Sequence, residues 1–289
     1  MNIALGTAQF IKNYGLLKKK FYPKNIFDFV NICEKIKMID TAPSYGEAEK
    51  MIGKYLKKNI KITTKINPFL YSSVDKNLDK FRKEFDKSLA NLKVDKIHGL
   101  LFHKEIDIQK SKHDKFFYHL EYLTKANIVS KIGFSTYNTD KVKKNLNHFN
   151  FKIIQLPINI FNFNQDYKKF LKNIKKKNNL EIHARSIFLQ GLGFEEKIND
   201  KRFLKLNKKL DILKNLSLKN KISKFKLMIN GIYDPKLINF FIIGKNFLKE
   251  IEEIKNLDFV FKKKLNFSFK KFIINDNFIL NPKKWPKKI

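Results

Sequence analysis

The sequence predicts an α/β chain that closes a parallel (β/α)8 barrel, a TIM barrel, as a single domain with a C-terminal extension. Three observations lead there. Lys37-Met-Ile-Asp-Thr-Ala-Pro-Ser-Tyr-Gly46 runs from an apolar strand end into a carboxylate and turn residues, and Glu47 then opens a stretch of helical rather than strand period, half of a βα repeat. Three successive strand-like segments each end in an ionisable group: Met38-Ile39 before Asp40, Lys61-Ile-Thr-Thr before Lys65, and His98-Gly-Leu-Leu-Phe before His103. Catalytic groups of a parallel barrel come from the C-terminal ends of several strands in this way. Finally, 289 residues exceed the ~250 of an ordinary single-domain barrel by no more than a tail.

Taken in order, Ile3-Ala-Leu-Gly6 reads as the first strand, and Pro23 to Met38 as a helix and the approach to the second strand, with Ile26, Phe29, Val30 and Cys33 on one helical face. Glu47 to Lys57 is the second helix. The third strand, Ile60 to Ile66, stops before Asn67-Pro68, where proline removes a ladder donor. Val74 to Leu92 is an amphipathic helix with a stripe of Leu78, Phe81, Phe85, Leu89 and Leu92. Asp95 to His103 is the fourth strand, Phe116 to Ile128 a helix, Val129 to Phe134 the fifth strand, and Lys152 to Leu156 the sixth. Leu180 to Arg185 is the seventh, with a long loop from Ser186 to Gly193, and Asn239 to Ile243 the eighth, followed by Gly244 and a helix around Phe247–Asn256. Residues 1–257 thus form the barrel and residues 258–289 a tail packing on or near it, where Phe259, Phe261, Phe267 and Phe269 alternate as in a strand or a mouth cover.

The four ionisable groups suggest a chemistry. A free phenol has a pKa of about 10, too high to donate readily at neutral pH, and a nearby ammonium stabilises the phenolate. Asp40 is expected to hold Lys65, Lys65 to acidify Tyr45, and His103 to orient a carbonyl or share the proton transfer. Such a device suits reduction of a carbonyl whose oxygen turns negative as hydride arrives at carbon. An Asp and a Tyr on one turn can also be ordinary turn and rim residues.

Leu5-Gly-Thr-Ala-Gln9, Ile39-Asp-Thr-Ala42 with Tyr45-Gly46, Thr64-Lys65, Leu101-Phe-His103, Lys131-Ile-Gly-Phe-Ser135, Ile154-Gln-Leu-Pro-Ile-Asn159, Arg185-Ser-Ile-Phe-Leu-Gln-Gly191 and Ile242-Ile-Gly244 follow one another at the spacing of a known family. In these segments the chain resembles the aldo-keto reductase superfamily. Gln9-Phe10 with Tyr14-Gly15, and Pro282-Lys-Lys-Trp285 in the tail, resemble a bacterial subgroup.

The resemblance implies an NAD(P)H-dependent oxidoreductase with Asp40, Tyr45, Lys65 and His103 as catalytic residues. It places Gly6 and Thr7 beside the nicotinamide, Ser135 and Gln155 on its carboxamide, with Asp40, Arg185 and Ser186 adjoining, and Gly244, Lys245 and Asn246 at the adenosine phosphates on a helix N-terminus. Thr136 stands where the family usually has Asn. Arg185 stands where many members stack a Tyr; a guanidinium plane can stack too, or bind an anionic substrate group. Asn159 is either a pocket residue or an ordinary turn Asn. NADP(H) is expected ahead of NAD(H), and the partner is a small-molecule carbonyl substrate; the subgroup resemblance suggests a sugar or nucleotide-sugar carbonyl. A non-catalytic nucleotide-binding barrel acting as a regulatory or interaction subunit is the alternative, opposed by the intact tetrad.

Composition excludes other classes. The net charge of +34 would by itself suggest polyanions. The lysines, however, spread along the whole chain beside abundant Asn, Ile and Phe, and Arg is scarce, so specific nucleic-acid binding is not expected. Lysine runs such as Lys18-Lys19-Lys20, Lys175-Lys176-Lys177 and Lys262-Lys263-Lys264 read as solvated faces. Cys33, the only cysteine, reads as a buried thiol and favours a reducing compartment. No apolar run approaches a membrane span and the N-terminus has no basic leader, so the expected location is cytoplasmic. His98 with His103 and His113 with His119 lack carboxylate or thiol partners at metal-binding spacings, so no metal is expected. Nothing in the pattern reads out the oligomeric state.

Overall fold

The computed structural model describes residues 1–10, 23–110, 114–244, 246 and 267–286. Eight parallel strands, β1 (Ile3–Gly6), β2 (Ile36–Asp40), β3 (Lys61–Ile66), β4 (Ile97–Phe102), β5 (Val129–Ser135), β6 (Ile153–Pro157), β7 (Glu181–Arg185) and β8 (Phe240–Gly244), pair in sequence order and close on themselves. Closure leaves no strand edge exposed. The boundaries fall within two residues of those expected from the sequence.

Helices cover the barrel. They are α1 (Pro23–Ile32), α2 (Ala48–Tyr55), α3 (Val74–Leu92), α4 (Ile106–Lys110), α5 (Asp114–Lys125), α6 (Val142–Leu146), α7 (Gln165–Asn178), α8 (Leu204–Asn220) and α9 (Lys224–Ile232). Local sequence explains several starts. Ser73, Asn164 and Ser223 each accept a backbone N–H three residues on, from Lys76, Tyr167 and Lys226, satisfying donors that have no partner within the helix. The space between sheet and helices is filled largely by phenylalanine: Phe27, Phe102, Phe116, Phe134, Phe151, Phe161, Phe203, Phe225 and Phe241 are fully buried. Each such side chain contributes roughly 1.5–3 kcal/mol of burial, so the Phe-rich composition is a core feature.

Register sets the site. Gly6 lies opposite Asp40 and Gly244, Ser135 opposite Gln155, and Pro157 opposite Arg185. The residues expected to carry chemistry therefore sit in the last layers before the C-terminal rim, where the following loops can reach them.

Several expectations change. Cys33 is half-buried at the end of α1, and its carbonyl accepts from Lys58 Nζ at 2.7 Å. Lys175 is not a solvated lysine: its Nζ donates to the Leu237 carbonyl at 2.8 Å and to Asn239 Oδ1 at 2.6 Å, tying α7 to the approach of β8. Phe267 and Phe269 do not form a strand, because Phe269–Phe272 is a short 3-10 turn whose Phe272 is buried edge-on to Phe161. The runs Lys18–Lys20 and Lys262–Lys264, Tyr14, His113, Phe259, Phe261 and the helix expected around Phe247–Asn256 lie outside the described residues.

The tail segment 267–286 returns to the mouth. Ile274 N–H bonds the Phe161 carbonyl at 2.8 Å. The short helix α10 (Asn277–Leu280) is capped by Asp276, and Trp285 Nε1 donates to the carbonyls of Phe278 and Ile279 at 3.0 and 3.2 Å. Trp285 and Phe278 pack on Phe203. These contacts hold Lys283 at the rim of the pocket described next.

Candidate active site

A pocket of about 510 Å³ opens at the C-terminal end of the strands. Its floor is Asp40, the last residue of β2, 5% exposed. Lys65 Nζ donates to Asp40 Oδ2 at 2.8 Å and to the Thr41 carbonyl at 2.8 Å, while Gln155 Nε2 donates to Asp40 Oδ1 at 2.8 Å from across the barrel. Both carboxylate oxygens are thus engaged, and the buried ammonium has a counter-ion, without which its burial would be costly.

Tyr45 comes from the turn after β2. Pro43 starts a single 3-10 turn that Tyr45 ends, and Gly46 reverses the chain with φ 63° and ψ −126°, a conformation that penalises any side chain. This turn lays the phenol ring over Lys65, whose Nζ is 5.1 Å from the ring centroid. The His103 ring stands edge-on to it at 5.8 Å. His103 follows β4, and Ser44 Oγ lies 3.4 Å from its Nδ1.

Electrostatics separate these groups. Burial, then the Asp40 carboxylate, push the Tyr45 phenol above its ordinary value, with Arg185 opposing. Lys65, spent on Asp40, does not pull the phenol down as the sequence reading expects. His103 is pushed down to about 3 by burial, then by the Lys65 charge, with Arg185 and Lys283 adding to it. At neutral pH the pair is a protonated phenol beside a neutral imidazole.

The opposite wall is built on Arg185, the last residue of β7. Its Nε donates to Ser135 Oγ at 3.1 Å, Nη2 to the Thr136 carbonyl at 3.2 Å and Nη1 to Ser186 Oγ at 3.4 Å, and its plane lies 3.8 Å from the centroid of Tyr137. Burial opposes ionisation of Tyr137, but the Arg185 charge and bonds from Arg185 and Ser186 outweigh it and bring that phenol below its ordinary value. The loop after β7 holds Ser186, Leu189 and Gln190 at φ 53°, 49° and 55°. Such strain in non-glycine residues clusters at functional sites.

Asp40, Tyr45, Lys65 and His103 therefore meet in one pocket, and Gly6, Ser135, Gln155, Arg185, Ser186 and Gly244 line it. Thr7 does not: it is fully buried behind the wall, with both its N–H and Oγ1 donating to the Asp40 carbonyl, at 3.0 and 3.1 Å. Asn246 is buried and off the wall, and Lys245 lies outside the described residues. Thr136 folds its hydroxyl onto Asn138 N–H at 2.8 Å, a turn contact. Asn159 is also structural, its Oδ1 accepting from Phe161 N–H at 3.1 Å.

Sequence reading missed Tyr137, Lys104 and Lys283 on the wall. Tyr137 stands two residues beyond Ser135 on a strand-end loop, a position that could have marked it; Lys283 reaches the wall only through the tail's packing. Beside the pocket, and sharing Tyr137 and Lys283 with it, runs a groove of about 1190 Å³ rich in asparagine.

Comparisons with known proteins identify the family and the fold. The aldo/keto reductase family profile matches residues 2–266. No curated protein matches the sequence significantly. Among solved structures, the chain is similar to the glycerol dehydrogenase AKR11B4 from Gluconobacter oxydans, with 19% identity over 92% of this chain and 93% of that one and a TM-score of 0.63. It is also similar to the aldo-keto reductase AKR11C1 from Bacillus halodurans in its holo form, with 17% identity, coverage of 94% and 89% and a TM-score of 0.65. A mutant of Gox0644 in complex with NADPH matches with 16% identity, coverage of 96% and 90% and a TM-score of 0.63. At these identities the structures speak for the fold, and the profile for the family. The chain belongs to the aldo/keto reductase family and is an NAD(P)H-dependent oxidoreductase acting on carbonyl groups.

Proposed function

We propose that this protein reduces an aldehyde or ketone with Tyr45 as the proton donor. The observation that carries the reading is the Asp40 carboxylate, bound on one oxygen by Lys65 and on the other by Gln155 at the floor of a pocket that Tyr45 and His103 share. The buried phenol holds its proton before the reaction and gives it up only as the carbonyl oxygen gains negative charge and becomes a stronger base than the phenolate. The neutral His103 imidazole can donate a hydrogen bond to a carbonyl oxygen without adding charge. Together they stabilise an oxygen that gains negative charge. Lys65 holds the Asp40 carboxylate in place and sets the local field.

The residues present fit a nicotinamide cofactor. Gln9 Oε1 is a buried acceptor on the pocket wall without a partner among the described residues. A Cβ on Gly244 would fall 2.2 Å from it, so glycine at this position lets that oxygen keep its place on the wall. Ser135 accepts from Arg185 and keeps its own hydroxyl proton to give; Gln155 donates to Asp40 and presents its Oε1. Bound there, the reduced cofactor supplies hydride to the carbonyl carbon. We take NADP(H) ahead of NAD(H), in keeping with the NADPH held by the Gox0644 mutant, and place the reaction in the cytoplasm, in keeping with the single cysteine. A polyol or sugar carbonyl is in keeping with the glycerol dehydrogenase likeness and with the asparagine-rich groove beside the pocket.

The test is a titration with NADPH and with NADH at low and moderate salt, followed by nicotinamide fluorescence. Saturable binding that survives moderate salt is the expected outcome, tighter for NADPH. Binding that vanishes as salt rises would instead reflect the general positive charge, and would overturn the reading.

A further inference from the structure

The charges around the pocket do not balance. Among the described residues Asp40 is its one carboxylate, and that carboxylate is spent on Lys65 and Gln155. Three further cations line the same pocket: Arg185, Lys104 and Lys283. Among the described residues none of the three lies within ion-pair distance of an acidic side chain. Glu105, Asp140, Asp166 and Asp276 face the adjoining groove and not the pocket.

Arg185 is the informative member. Lysines at a rim can turn into solvent, but this guanidinium is half-buried and fixed by Ser135, the Thr136 carbonyl and Ser186, with Tyr137 beneath its plane. Its hydrogen-bonding acceptors are neutral, so its position is fixed while its charge is not cancelled. Lys283 Nζ stands 5.2 Å from the same Tyr137 ring. A planar, fixed guanidinium with a second cation beside it suits a carboxylate or phosphate, which it meets with charge-assisted bonds.

We propose that the pocket selects carbonyl compounds bearing a carboxylate or phosphate, seated on Arg185 with Lys283 and Lys104 at the rim, while the carbonyl lies at Tyr45 and His103. This rests on the carbonyl-reduction reading above, and reassigns Arg185 from the cofactor to the substrate. About 510 Å³ limits the group to a small one.

Two matched pairs of probes test it: butanal against 4-oxobutanoate, and glyceraldehyde against glyceraldehyde 3-phosphate, with saturating NADPH at fixed ionic strength. In the wild type, kcat/KM for at least one anionic member should exceed that of its neutral partner by about tenfold or more, the worth of one good charge-assisted contact. The pair that shows the preference identifies carboxylate or phosphate. Arg185→Gln should erase the preference through KM and leave the NADPH Kd within about twofold; Arg185→Lys should keep part of it. Lys283→Gln, at an exposed position that the fold does not need, should lower it about two- to fivefold, and Lys83→Gln on the outer helix α3 should not change it.

Equal rates within both pairs would overturn the proposal and leave the reductase reading standing. So would an Arg185→Gln variant that loses NADPH affinity as much as anion affinity, since Arg185 would then serve the cofactor. If none of the four probes is reduced, calorimetric binding of 4-oxobutanoate and of inorganic phosphate decides. Binding lost in Arg185→Gln and kept in Lys83→Gln supports the anion seat without the reaction, and binding indifferent to Arg185 overturns it.

Discussion

Among the described residues the barrel encloses two charged clusters, and only one of them opens onto a pocket. At the mouth, Asp40 accepts from Lys65 and Gln155 under Tyr45 and His103. Toward the floor, Glu181, the first residue of β7, accepts from His98 Nε2 at 2.9 Å, His183 Nε2 at 2.7 Å and Lys131 Nζ at 2.5 Å. Both are buried carboxylates drawing donors from several strands, and His183 lies in register with Gln155, so they meet in adjoining layers. In the floor cluster burial opposes ionisation of Glu181, but its bonds to His183, His98 and Lys131 hold it well below the ordinary carboxylate range. None of the four floor residues lines the mouth pocket. A perturbed ionisable group marks a candidate site only where a ligand can reach it. The floor cluster satisfies its charges internally, whereas the mouth leaves Tyr45, His103 and Arg185 facing space.

The sharpest way to break this comparison is Tyr45→Phe. If the mouth is the reacting end, turnover should fall by about 10²–10⁴-fold, the span of a lost general acid, or roughly 3–5 kcal/mol of barrier. Cofactor affinity and thermal midpoint should hardly move, because among the described residues the hydroxyl makes no bond to the fold and the ring remains. Steady-state kinetics with NADPH binding on the same preparation checks both halves. A variant as active as wild type would remove Tyr45 from the chemistry.

Glu181→Gln tests the other end. The amide can keep Oε1 toward His98 and His183, but its Nε2 then faces the Lys131 ammonium donor to donor and the charge is lost, at a cost of about 1–3 kcal/mol. Stability should drop by that amount near neutral pH while kcat stays within about twofold. The pH dependence has a definite sign. Glu181 is depressed in the folded chain, so its contribution is present above its ordinary value of 4.5 and is lost as pH falls below it. The variant should lack that acid limb in chemical denaturation series between pH 6 and 3. A large loss of kcat with unchanged stability would mean that the floor also serves the reaction.

The two ends also differed in legibility. The mouth could be read because its residues close their strands and stand beside turn signals: Asp40 before Thr-Ala-Pro, Lys65 before Asn67-Pro68, and His103 after an apolar run. The floor could not. His98 has no partner at any local spacing, since Glu181 lies 83 residues away and becomes its neighbour only when the barrel closes. Lys283 was hidden for the same reason, its place depending on how Trp285 and Phe278 pack against Phe203. Thr7 was misplaced for a different reason: position in a motif marks the rim, but the rotamer that sends its hydroxyl to the Asp40 carbonyl is set by local packing. Periodicity places strand ends; it does not say which side chain turns inward or which charges find a partner.

The smallest expected effect is the most discriminating for His103. An exposed histidine titrates near 6.5 and would put an inflection in kcat/KM at that pH. His103 is held down to about 3 by its burial and by Lys65, so it stays neutral throughout the usual assay range. With a neutral substrate such as butanal, kcat/KM should change by less than about twofold from pH 5 to pH 8 on account of this residue. An inflection near 6.5 that disappears in His103→Gln would show the imidazole to be charged at work. Stability should behave differently from rate. The unfolded chain gains a proton at His103 below about 6.5 and the folded chain does not, so the stability present above that pH falls as pH drops toward 3. The buried His183 and the partly buried His119, both also lowered, tilt the whole protein the same way. The difference between wild type and His103→Gln isolates the mouth: it should grow between pH 6.5 and 4.5, before the Glu181 limb begins. A flat difference across that window, with a rate inflection near 6.5, would make His103 an ordinary solvated histidine and leave Tyr45 without its neutral partner.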